Sequence, residues 1–132
     1  MEAQQSWQGM IKLMESEIQV NVHPRVPNWT FEGLIRRHCE MGTIIAIMKW
    51  LQYTDYASHL FAGLSHYTLK ISAHAPYEYP MVVIETTGVD KFLVKFYEPT
   101  SISRHSLVKK CNSRNLQEAL FPLLERLKSY NQ

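Results

Sequence analysis

Six histidines and two cysteines give this 132-residue chain its widest chemical range, so their spacing decides which reactions are within reach. Imidazole nitrogen and thiolate sulfur bind zinc when a short, regular spacing aims them at one point. No Cys-x-x-Cys, His-x-x-x-His or His-Glu-x-x-His spacing occurs. His38 and Cys39 are adjacent, which on a helix turns them about 100° apart and away from a shared ion. His59, His66 and His74 could converge only through tertiary folding. A thiol enzyme needs a cysteine beside a histidine base and a third, orienting group. Cys39 or Cys111 with His59 or His105 are the pairs to weigh. Cys111 is the better nucleophile, because it lies in a basic stretch that would lower the pKa of an exposed thiol. Against both, a free cysteine usually behaves as a small buried hydrophobe.

Other catalytic signatures are missing. Gly63-Leu64-Ser65-His66 sets a serine beside a histidine without a Gly-x-Ser-x-Gly elbow. The five glycines, at 9, 33, 42, 63 and 88, are scattered, which excludes a phosphate-cradling loop and a dinucleotide fingerprint. The acids are ten glutamates and only two aspartates, Asp55 and Asp90. Paired-aspartate chemistry and Asp-rich calcium loops are thereby excluded. We assign no catalytic residue, no metal ligand and no cofactor from the sequence.

Two clusters suit binding better than reaction. Between Glu98 and Glu118 there is no acid, while Arg104, His105, Lys109, Lys110 and Arg114 are all present. Four fixed positive charges could hold an acidic protein surface or another anion. A nucleic-acid backbone is the weaker alternative, since the segment has no aromatic side chain on which bases could stack. Its plainest reading is a solvated connection before the last helix. The second cluster is aromatic: Tyr77 and Tyr79 lie in a loop between Pro76 and Pro80, with Tyr97 further on. Tyrosines are favoured at protein interfaces, where they supply area at modest entropic cost, and these three are the candidate interface.

The elements that must position these residues follow from periodicity. Trp7, Met10, Ile11, Met14 and Ile18 mark one face of a helix. The period then switches to two over Ile18–Val22, which predicts a short N-terminal strand ended by Pro24 and Pro27. A second helix opens near Phe31, and Gly42 either stops it or is carried within it to about Leu51. Lys49 and Gln52, three apart on one face, favour the continuous helix. Tyr53 to Gly63 reads as a turn and a short helical piece, Tyr56–Phe61, closed by Gly63. Three strands follow as an antiparallel meander: Tyr67–Ser72, Met81–Thr86 and Phe92–Tyr97. The last helix is opened by Asn115, with Glu118 three residues on, and Pro122 should kink it or delay its start.

The expectation is a single α+β domain over residues 1–132: an antiparallel sheet, made of that meander plus the short N-terminal strand, with three main helices mostly on one face. A 45% hydrophobic content supports a real core, and a net charge of +2 gives no general reason to seek nucleic acid or membrane. Two cysteines, no visible signal peptide and no membrane span point to the cytoplasm. The functional expectation is a non-enzymatic binding or regulatory module that engages a protein partner or associates with itself. A pocket protein for haem or another small apolar ligand is one alternative, suggested by six methionines and six histidines. A small thiol or histidine enzyme is the other.

Overall fold

Helices and strands here are set by which side chains can be buried together, and burial follows two different periods along the chain. The computed structural model describes residues 2–21, 31–65, 68–99 and 107–131, with the side chains of residues 17–21 and 31–41 outside that description. Helix α1 spans Ala3–Asn21 and α2 spans Phe31–Gln52. A 3-10 turn at Asp55–Ser58 leads into strands β1 (Phe61–Ser65), β2 (Thr68–Ser72), β3 (Met81–Gly88), β4 (Lys91–Tyr97) and β5 (Leu107–Cys111). Helix α3, Leu116–Ser129, ends the described chain.

The five strands form one antiparallel sheet in sequence order. One face is largely apolar: Ala62, Leu69, Ile71, Val82, Ile84, Phe92, Val94 and Phe96 join one core with Trp7, Met14, Met48, Leu51, Leu120 and Leu124 from the helices. All three helices contribute to that face. The other face carries Lys70, Val83, Glu85, Leu93, Lys95, Val108 and Lys110 by the same alternation.

Several expectations are corrected. The strand expected at Ile18–Val22 is helix over residues 18–21, where α1 continues to Asn21, and Val22 lies outside the described residues. The alternation there is only three apolar residues long, and Ile18 also continues the helical phase of Trp7 and Met14, which wins. Helix α2 runs through Gly42, as its continuous reading required. Ile44, Met48 and Leu51 are all fully buried at spacings of four and three, and Gly42 is exposed, where a helical glycine costs only about 1 kcal/mol. The helical piece ending at Gly63 is instead a shorter turn followed by β1. Pro122 neither delays nor splits α3; it sits on the exposed side while Leu116, Leu120, Leu123, Leu124 and Leu127 are buried. Asn115 does occupy the N-cap position, but its side chain makes no cap and accepts from the Asn112 N–H at 2.8 Å.

Candidate functional site

The two outer edges of the sheet are treated differently, and that difference defines the candidate site. At β1 three of the outward-facing main-chain groups have partners within the chain: the Ala62 N–H and the N–H and C=O of Leu64. The Ser6 hydroxyl donates to Ala3 C=O at 2.6 Å and accepts the Ala62 N–H at 2.9 Å. The Tyr77 hydroxyl accepts the Leu64 N–H at 2.8 Å and donates to the Leu64 C=O at 2.7 Å. Trp7, fully buried, donates from Nε1 to Leu60 C=O at 2.8 Å just before the strand. Tyr77 can lie there only because residue 63 is glycine: a Cβ at Gly63 would stand 2.8 Å from the tyrosine ring. Tyr77 itself takes a left-handed φ of 66°, a conformation that its two hydrogen bonds help to hold.

A strand presents its N–H and C=O groups alternately to its two neighbours. Ala62 and Leu64 turn theirs away from β2, so Phe61, Gly63 and Ser65 bond inward. Carried across the sheet, the alternation gives Leu69, Ile71 and Ala73 to β3, and the Ala73 N–H indeed reaches the Pro80 C=O at 3.4 Å. It then pairs Phe92, Val94 and Phe96 with Cys111, Lys109 and Leu107. The main-chain groups of Val108 and Lys110 are left on the outer edge of β5, and among the described residues they have no partner. Val108 is 45% exposed and Lys110 is exposed as well.

The basic cluster is therefore divided by the strand. Lys109 points to the helix-covered face, where its ammonium lies 3.4 Å from the Ala119 C=O of α3. Lys110 points to the open face. Arg114 stands in the turn before α3, a turn fastened by Asn112 Oδ1, which accepts from the Arg114 N–H at 2.9 Å. Arg104 and His105 lie outside the described residues. The face away from the helices, open at its β5 end while Ser72, Met81 and Val83 on it are buried, carries Lys70, Lys91, Lys95 and Lys110 on its described strands against one acid, Glu85, which binds Lys95 at 3.1 Å. Of the tyrosines, Tyr79 and Tyr97 meet edge to face at 5.8 Å, while Tyr77 is engaged at β1. No local sequence signal marks Gly63 and Tyr77 as partners, because their contact is tertiary.

Cys111 is half-buried on the helix-covered face, packed against the core. Burial pushes its thiol pKa up, and Lys109 offsets this only in part. That reverses the activation expected for an exposed thiol in a basic stretch. The side chain of Cys39 lies outside the description. Among the described residues no group of three or more His, Cys, Asp and Glu side chains is placed to hold a metal. No helix among them is long and apolar enough to cross a membrane.

A cavity of about 780 Å³ opens between α2, the β3–β4 turn and the start of α3. Ile47, Trp50, Phe92 and Leu116 make it apolar, with Asp90 and Arg114 at its rim. Asp90, at φ 53°, accepts the Ser113 N–H at 2.9 Å and so ties the hairpin tip to the turn before α3. Its described lining offers no histidine, cysteine, methionine or tyrosine as a haem ligand. Compared with protein-family models, with curated proteins and with solved structures, the chain matches none.

Proposed function

We propose that this chain is a non-catalytic binding module that docks a protein partner along β5. One observation carries the reading: at β1 the outward Ala62 N–H and both main-chain groups of Leu64 are met from within the chain, whereas the outward groups of Val108 and Lys110 have no partner among the described residues. An open strand edge is a template for a further strand, and main-chain hydrogen bonds supply affinity in such complexes. The neighbouring open face adds half-exposed Leu93 and Tyr97 beside the lysines. The helices cannot serve the same role over their described lengths where they are buried against the sheet.

Replacing Val108 with a photo-crosslinking amino acid tests this in cells, with the same replacement at exposed Gln8 of α1 as control. A discrete adduct with another chain from position 108 and none from position 8 is expected. Equal labelling at both positions, or none at 108, overturns the reading. The 780 Å³ cavity favours a second reading, a small apolar ligand held between α2 and α3, since its volume lies in the range of small-molecule sites. Saturable enhancement of an apolar fluorescent probe, abolished by Ala46→Trp in the cavity wall, would support that reading, and an unsaturable response would remove it.

A further inference from the structure

We infer that the segment received by β5 is an extended peptide that presents an acidic and an apolar side chain two positions apart on one face; this rests on the reading of β5 as the docking edge. Strand addition places partner residues directly opposite Val108 and Lys110, because those two residues present the outward N–H and C=O groups. Their side chains share the open face, so the partner's side chains at those two positions fall on that face as well. Opposite Lys110 the complementary residue is an acid, and cross-strand pairs of opposite charge are favourable where like charges are not. Opposite Val108, exposed at 45%, an apolar side chain would cover surface that water now wets.

The wider field has the same sign. The four lysines of the open face stand against Glu85 alone, leaving three uncompensated positive charges on its described strands. Lys109 adds one from the covered side, while Arg114, beyond the end of β5, is balanced by Asp90 at the same turn. This field steers an acidic segment toward the edge and speeds its encounter.

The same charges argue against a second copy of this chain. Two β5 strands pairing antiparallel about Lys110 would set that lysine directly against its own counterpart on the open face, and pairing about Lys109 would do the same on the covered face. Lysine on an exposed edge is a recognised defence against this edge-to-edge association. β5 thus repels its own kind and admits an acidic strand.

The test uses the whole chain and three synthetic peptides: one repeating Glu-Thr-Val-Thr, one repeating Lys-Thr-Val-Thr, and the first with alternate amides N-methylated. Amide hydrogen exchange is followed at Val108 and Lys110. The glutamate peptide should slow exchange at both amides at least 10-fold, and the other two should leave it unchanged. Val108→Pro removes one outward donor while sparing the ladder to β4, and should weaken binding at least 10-fold. Lys110→Glu should exchange the preference toward the lysine peptide. Equal protection by the glutamate and lysine peptides overturns the inference. So does protection that appears with chain concentration alone, which would mean self-pairing, or tighter protection by a single-stranded oligonucleotide. If no peptide protects the edge while position 108 still crosslinks to a partner, the acidic-strand inference fails and the docking edge stands. If position 108 crosslinks to nothing, the docking edge itself fails.

Discussion

β1 and β5 are both edge strands of five residues, yet one is closed and the other is open. At β1 the outward Ala62 N–H is met by a serine from α1, and the N–H and C=O of Leu64 by a tyrosine from the β2–β3 loop. At β5 the corresponding positions carry Val108 and Lys110, with no partner among the described residues. Natural sheets manage their edges by covering them or by charging them. This molecule covers one and charges the other. A covered edge is closed to every strand, whereas a charged edge is closed only to strands of like charge, and that difference leaves room for selective binding.

The largest effect expected from breaking this asymmetry is at Gly63. In Gly63→Ala the new methyl would collide with the Tyr77 ring and expel it, losing two hydrogen bonds and the packing over the strand. A loss of about 3 kcal/mol in denaturant unfolding is expected, from overpacking together with unmet main-chain groups. Exchange at the Leu64 amide should accelerate well beyond the global change. Unfolding at the wild-type midpoint would contradict the seating of Tyr77 on that glycine. Tyr77→Phe is gentler, since the ring stays and only the hydroxyl leaves. A cost of about 1–2 kcal/mol is expected, with Leu64 again the amide most affected.

What the sequence made legible divides along the same line. The meander from Thr68 to Tyr97 was readable because apolar and polar residues alternate within each strand and a short turn joins β3 to β4. α1 and α3 were readable from their apolar stripes, although α1 absorbed the residues that looked like a strand at Ile18. Both edge strands were missed, for different reasons. β1 contains Gly63, which resembles a helix stop; its true role is to make room for a ring fourteen positions later, and no local pattern records that. β5 reads Leu-Val-Lys-Lys-Cys, where adjacent lysines conceal the alternation. They look like one cationic cluster in sequence, but the pleat sends them to opposite faces. Tyr77 drew notice as an interface residue because it lies between prolines, and its hydroxyl is spent inside the molecule.

A pH titration sharpens the closed side. Tyr56, in the turn that feeds β1, is buried and donates to Glu125 of α3 at 2.7 Å. Burial, then the Glu125 hydrogen bond and charge, push its phenol from 10.0 up to about 12. The folded state thus favours the protonated phenol. The stability this contributes is complete below pH 10 and is lost as pH rises toward about 12. Unfolding midpoints measured from pH 9 to pH 12 should fall for the wild type and fall less steeply for Tyr56→Phe. Parallel slopes would show that the phenol is not the group responsible.

The smallest effect expected is at Val108, and its smallness is what makes it informative. Proline removes a donor and is tolerated in a sheet only where that donor faces outward, at an edge. If the Val108 N–H points away from β4, as the alternation from Ala62 and Leu64 requires, Val108→Pro keeps every hydrogen bond of the ladder. Its cost should stay near 1 kcal/mol or less, with the amides of Leu107, Lys109 and Cys111 still protected. The neighbouring Lys109→Pro deletes a donor that faces β4 and should cost about 3 kcal/mol. A reversed order, with the change at 108 the more damaging, would mean that the outward face of β5 is assigned to the wrong residues. Both the docking edge and the acid facing Lys110 would then have to be abandoned, because each depends on that one-residue phase.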